Sequence, residues 1–227
     1  MAIVSLEVDS QRSFSPLCPE ELPVEDALSI VPELNYQATL ADFRVFSREM
    51  HSPKAPWIAR GQLKAGVKMD LPNIDSAWPA HAIAGTEGAE RLPGLPGPEH
   101  YDFLIYKGVE PSFHPYGVCF HDLEEKISTG FLEWLHHQKI GLLIVGGLDI
   151  DHCVKGSVLQ LLRYTKGVEV ILNLAASRGM ASDTVVSALD EMQKAGAVII
   201  KNRAELEAEI RAFKMRQRDN KLSLIHI

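Results

Sequence analysis

The 227 residues are 46% hydrophobic, enough apolar material for a full core and far from the composition of a disordered chain. A net charge of −7 argues against nucleic acid or an anionic membrane as a bulk partner. Three widely spaced cysteines are no disulfide framework, so a reducing compartment, the cytoplasm, is expected.

The first residues, Met1-Ala2-Ile3-Val4-Ser5-Leu6-Glu7-Val8-Asp9, carry no basic leader and read as a strand over 2–8 that ends at Asp9, not as a signal peptide. No apolar run approaches membrane-spanning length. Residues 10–23, with Pro16, Pro19 and Pro23, read as loop, and 24–40 as a weak helix broken near Pro32. A second strand over 43–47 leads to Glu49-Met50-His51. Residues 52–98 are irregular and hold most of the prolines; a loop of that length is functional or disordered. A third strand over 102–106 ends at Lys107-Gly108. The spacing of Ile127, Phe131, Leu132 and Leu135 predicts a helix over 123–138. Residues 140–145 form a continuous apolar run, as in a strand covered on both faces, which Gly146 and Gly147 interrupt. Asp151 then offers an N-cap, and Val154, Val158, Leu161, Leu162 and Thr165 lie on one face of a helix running to about 166, with Cys153 in its first turn. A strand over 168–174 follows. A helix over 182–195, with Val186, Leu189 and Met192 inward, stops at Gly196. A last strand over 197–200 and a charged helix over about 203–219 complete the pattern. The apolar tail over 222–227 has no assignment.

Strands alternating with helices predict one α/β domain over 1–227: a parallel sheet flanked by helices on both faces, with a long loop at about 48–98. Ligands of such sheets sit at the carboxyl ends of the strands. Asp9, Glu49 with His51, Lys107 and Cys153 follow four successive strands and so reach one edge. At a helix start a thiol tends toward thiolate. Lys107 can hold that charge and Asp9 can accept the thiol proton. Taken singly, each has a plainer reading: a packed cysteine, a surface lysine, a solvated carboxylate. Glu49-x-His51 with His81 offers one carboxylate and two imidazoles, a set suited to zinc or another borderline divalent ion, although an ordinary surface loop has the same residue types. His100, His114, His121, His136 and His137 show no partner pattern and read as surface or loop. Cys18 and Cys119 read as inert. Phe14, Trp78 and Tyr116 either line an apolar pocket or belong to the core.

Several segments together resemble the nicotinamidases of the isochorismatase-like cysteine hydrolase family. Asp9-Ser10-Gln11-Arg12-Ser13-Phe14 is similar to that family's Asp-x-Gln-x-x-Phe. Trp78-Pro79-Ala80-His81 with Gly85-Thr86-Glu87-Gly88-Ala89 resembles its Trp-Pro-x-His…Gly-Thr-x-Gly-Ala segment, the most specific of the matches. Lys107-Gly108 with Tyr116, Asp151-His152-Cys153-Val154-Lys155 and the 188–196 helix also fit, so the likeness runs from the first strand to about residue 200. It implies a catalytic triad of Asp9, Lys107 and Cys153; one divalent ion on Glu49, His51 and His81, with zinc ahead of iron or manganese; and Phe14, Trp78 and Tyr116 around a pyridine ring. It further implies an oxyanion hole from the backbone N–H groups of Asp149 and Cys153, with a cis peptide between Leu148 and Asp149. The implied reaction is deamidation of nicotinamide in NAD salvage, with a small amide as partner, no nucleic acid or membrane, and a homo-oligomer left open. Three departures stand out. Glu49 replaces the usual Asp, Ala55 stands where many relatives have another His, and Asp149-Ile150 replaces a small neutral pair, setting a carboxylate near the oxyanion position. They keep two alternatives open: a cysteine amidase for another small amide or N-carbamoyl compound, and a catalytically impaired paralogue.

Overall fold

The most apolar run of the chain becomes the most buried strand. In the computed structural model, which describes the backbone of residues 1–225 and the side chains of residues 1–219, every residue of Ile140–Gly147 is buried. The strands are β1 (Ala2–Val8), β2 (Phe43–Glu49), β3 (Lys68–Leu71), β4 (Ile74–Ser76), β5 (Phe103–Lys107), β6 (Ile140–Gly147), β7 (Glu169–Ser177) and β8 (Val198–Ile200). Six form one sheet in the order β5-β2-β1-β6-β7-β8, with every pairing parallel. The order reverses between β1 and β6, so the switch point, where a ligand crevice opens, lies between the ends of the strands that precede Asp9 and Cys153.

Helices α1 (Val31–Ala38), α2 (Phe131–His137), α3 (Lys155–Tyr164), α4 (Ser182–Ala195) and α5 (Arg203–Ile225) cover the sheet. On one face Val4, Leu6, Val8, Leu143 and Val145 pack with Phe131, Leu135, Val158, Leu161, Ala188 and Met192 of α2, α3 and α4. On the other, Ile3, Leu142, Ile144 and Ile171 meet Leu206, Ile210 and Phe213 of α5. Alternate residues of each strand serve opposite layers, as the pleat requires. A buried polar chain ties α1 through the sheet: Gln37 Nε2 donates to Ser5 Oγ at 3.1 Å, and Asn173 Nδ2 donates to Gln37 Oε1 at 3.1 Å.

Several sequence expectations are corrected. Pro32 sits in the first turn of α1 and starts a helix instead of breaking one, because the missing N–H is unneeded there. The helix expected from 123 begins only at Phe131. The segment before it is a loop gathered by the Asp122 carboxylate, which accepts from the N–H groups of Lys126 and Ile127, and Ile127 is exposed. Val186 is also exposed. The long loop contains an antiparallel hairpin, β3–β4. The tail over 222–227 lies outside the described side chains.

Gly147 has a φ of +131°, and a Cβ there would stand 2.0 Å from the Val8 carbonyl oxygen, on the neighbouring strand. The close approach of β1 and β6 therefore requires a bare backbone at this position. Gly147→Ala is expected to lower stability by more than about 2 kcal/mol, read from the urea midpoint at unchanged slope. A midpoint equal to wild type would contradict this.

Candidate active site

Parallel pairing places the reactive side chains side by side. The β2–β5 register sets Glu49 directly opposite Lys107. Asp9, turning away from β1 at φ +40°, donates its N–H to the Ser47 carbonyl, while Ser47 Oγ donates to Asp9 Oδ1 at 2.7 Å. Lys107 Nζ lies 2.6 Å from Asp9 Oδ2 and 3.4 Å from Glu49 Oε1, and donates to the Tyr116 carbonyl at 2.5 Å. Cys153 Sγ lies 3.6 Å from Glu49 Oε1, and Asp9, Glu49 and Cys153 bring one side-chain atom each within 4.8 Å of one another. None of these four residues is more than 6% exposed. The sequence-predicted Asp9, Lys107 and Cys153 are thus gathered at one point, with Glu49 among them.

Burial and charge set the protonation states. Burial raises the Asp9 carboxyl to about 6 against the lowering effect of Lys107, with Glu49 adding to the rise. Burial would raise Glu49 too, but Lys107 and the histidines His51 and His81 outweigh it and hold that carboxyl well below its ordinary value. Burial alone would lower Lys107; the surrounding anions, Asp9 first, raise it instead, so it stays an ammonium. Burial drives the Cys153 thiol well above its ordinary value; Glu49, Asp9 and Asp149 add to this, and only Lys107 opposes it. The thiolate expected from a helix start is therefore not the resting form. Desolvation outweighs the helix end, and Cys153 is a thiol in need of a base.

The turn that carries Cys153 also differs from expectation. A single π-helical turn, Ile150–Val154, precedes α3, and Asp149 is its N-cap, not Asp151. Asp149 Oδ1 accepts from the His152 backbone N–H at 2.8 Å and lies 2.9 Å from His152 Nδ1. Its charge is engaged within the turn and not left free toward Cys153. Asp151 reaches across to the start of α4, accepting from Thr184 Oγ1 at 2.6 Å and the Met180 N–H at 2.9 Å. The Leu148–Asp149 peptide is cis.

Beside Glu49 stand three buried imidazoles. Glu49 Oε2 lies 3.0 Å from His51 Nε2 and 3.2 Å from His81 Nε2. The loops that carry them are paired: the His51 N–H donates to the Ala82 carbonyl and the Ala84 N–H to that of His51, both at 2.9 Å. Gly108, at φ +64°, lies against the His51 ring, where a Cβ would come within 2.1 Å. His81 Nδ1 lies 2.7 Å from the Pro79 carbonyl, which can only accept, so that nitrogen carries the hydrogen. Its Nε2, on the other side of the ring, faces the Glu49 carboxylate oxygen, where a divalent ion could bridge the two. This donor set fits a divalent ion on Glu49, His51 and His81. The third ring is His114, read from sequence as surface or loop; it is only 2% exposed, and one of its ring nitrogens comes within 4.8 Å of one nitrogen each of His51 and His81.

Phe14, Trp78 and Tyr116 meet at a cavity of about 20 Å³ that also touches Glu49, His81 and Cys153. That volume holds a water, so a six-membered ring enters only with movement of the lining side chains. The cavity mouth includes the partly exposed His152, edge-on to Trp78 at 5.2 Å.

Sequence reasoning missed three contributors. Gln11 clamps the end of β2: its Oε1 accepts from the Glu49 N–H at 2.7 Å, and its Nε2 donates to the carbonyls of Glu49 and Ala89. Ser47 orients Asp9. His114 sits two residues before Tyr116 and seven after Lys107, and that proximity was its available signal.

No protein-family model matches the chain. It is 30% identical over 129 residues to a nicotinamidase/pyrazinamidase of Mycobacterium tuberculosis, covering 57% of this chain and 66% of the relative. It is 32% identical over 122 residues to a nicotinamidase of Escherichia coli, covering 54% and 56%. The match to a nicotinamidase of Acinetobacter baylyi, 26% identical over 199 residues, covers 86% and 91%. The chain thus spans less than two thirds of the first two relatives. A nicotinamidase/pyrazinamidase structure from Acinetobacter baumanii superposes with a TM-score of 0.80 at 25% identity, covering 88% of this chain and 96% of that one. A Pyrococcus horikoshii pyrazinamidase in complex with zinc gives 0.70 at 23% identity, over 89% and 100%. An isochorismatase-like hydrolase from Alkaliphilus metalliredigens shares the fold, at 0.67 and 16% identity over 94% and 100%. In sheet order and strand-end residues the chain is similar to these nicotinamidases, and it shares the fold of the isochorismatase-like hydrolases.

Proposed function

We propose that the chain is an amidohydrolase converting nicotinamide and water to nicotinate and ammonia through a thioester on Cys153. The observation that carries this reading is the contact set at the strand ends: Lys107 is 2.6 Å from Asp9, and Cys153 is within 4.8 Å of the Asp9 and Glu49 carboxylates, beside an aromatic cavity. The nicotinamidase relatives support it.

Asp9 takes the Cys153 proton, and the sulfur attacks the amide carbon. The carbonyl electrons move to oxygen, which the N–H groups of Asp149 and Cys153 receive, while Lys107 balances the charge. As the C–N bond breaks, Asp9 returns the proton and ammonia leaves. Water then gives a proton to Asp9 and attacks the thioester carbon; the sulfur departs and regains that proton, freeing nicotinate. Phe14, Trp78 and Tyr116 hold the ring. Glu49, His51 and His81 hold a divalent ion, which when bound supplies a Lewis acid for the pyridine nitrogen. Zinc suits these donors, and the Pyrococcus protein supports that choice; iron and manganese suit them less specifically. A cytoplasmic setting suits three free thiols.

Purified protein is expected to release ammonia from nicotinamide, and Cys153→Ala to lower kcat by at least about a thousandfold. Equal rates in the two proteins would sink the covalent mechanism. Asp9 acts as its anion, so kcat/KM is expected to hold level above pH 6 and to fall about tenfold per pH unit below the Asp9 value of about 6. A profile still level at pH 4.5 would remove Asp9 as the base. Chelation followed by gel filtration should abolish turnover, and one equivalent of zinc should restore it; full turnover by protein shown by elemental analysis to be metal-free would contradict the metal assignment.

A further inference from the structure

We propose that His114 is a fourth protein ligand of the divalent ion, joining Glu49, His51 and His81; the inference rests on the metal reading above.

Both ring nitrogens of His114 are buried and neither has a hydrogen-bond partner among the described residues. A neutral imidazole carries one N–H and one lone pair, so one buried donor and one buried acceptor are unmet, a costly arrangement. Packing alone does not account for it. The ring lies parallel to those of Trp78, at 5.8 Å, and His51, at 5.3 Å, and T-shaped to that of Trp57 at 4.6 Å. A phenyl ring would make those stacks with no polar atoms to desolvate.

The position is also specified. The His114 N–H donates to the Asn73 carbonyl at 2.9 Å, and Tyr116 Oη donates to Asp75 Oδ1 at 2.8 Å. Both acceptors belong to the β3–β4 hairpin, which thereby holds the 114–116 segment over the end of β5. In its neutral form the ring has one nitrogen lone pair to give. One nitrogen from each of the three imidazoles lies within 4.8 Å of the others, and two of the rings stand against one carboxylate oxygen, so all three are close enough to share one ion once the parallel His51 and His114 rings turn toward it. One carboxylate with three imidazoles favours zinc, cobalt, nickel or iron over magnesium or calcium.

The test uses the full chain, freed of metal and titrated with cobalt(II), followed by calorimetry, by elemental analysis and by the visible ligand-field bands. His114→Ala removes the ring; His114→Phe keeps its volume and stacking if the alanine variant fails to fold, and circular dichroism checks both. Wild type is expected to take up one cobalt per chain. The folded variants are expected to bind it at least about tenfold more weakly, with shifted bands. Wild-type affinity and an unchanged spectrum in folded His114→Phe would overturn the role of His114 while leaving Glu49, His51 and His81 standing. Failure of wild type to bind cobalt would overturn both.

Discussion

The Lys107 ammonium is buried without any exposed surface, and the arrangement of the site follows from what that charge requires. An isolated buried cation is costly by many kcal/mol, and it is tolerated only with anions and acceptors in contact. Lys107 has three: Asp9 at 2.6 Å, Glu49 at 3.4 Å and the Tyr116 carbonyl at 2.5 Å. These come from the end of β1, the end of β2 and the loop after β5, so a single ion cluster draws the strand ends together. The same cluster sets the chemistry. Lys107 opposes the rise of Asp9, leaving that carboxyl titrating near the pH at which a general base is effective.

Glu49 links two functions. One of its oxygens faces Lys107 and Cys153, and the other faces His51 and His81. A shorter Asp would span less of that distance. Glu49 is therefore the side chain that joins Lys107 and Cys153 to the proposed metal donors His51 and His81. Gln11 fixes its backbone on both the N–H and the carbonyl side, which keeps the longer arm in register.

The fold was legible where apolar runs were long. β6 and β1 emerged within a residue or two because their hydrophobic patterns admit no other reading. The 123–130 segment was not legible: Ile127 completes a helical pattern by spacing alone, whereas Asp122 offers the backbone a competing set of hydrogen bonds. At the site, residues that end strands were readable because a parallel sheet collects them at one edge. His114 was not, because nothing adjacent to it in sequence shows that a distant hairpin presses it onto His51. The protonation state of Cys153 was misjudged for a similar reason. A helix terminus is visible in sequence, but three nearby carboxylates and near-complete burial are not.

Asp149 shows how a local substitution can be absorbed. A carboxylate beside a developing oxyanion opposes catalysis only if its charge is free to face it. Here it caps the turn and pairs with His152, so the backbone of the nucleophile turn is braced by the same group. The claim on which all of this rests is that Cys153 carries the acyl group during turnover. Rapid acid quench of the protein with nicotinamide, followed by intact-mass and peptide mass spectrometry, tests it directly. A nicotinoyl adduct confined to Cys153, appearing and decaying at the rate of turnover, is the expected result. Sustained ammonia release with Cys153 never acylated, and undiminished in Cys153→Ala, would contradict it.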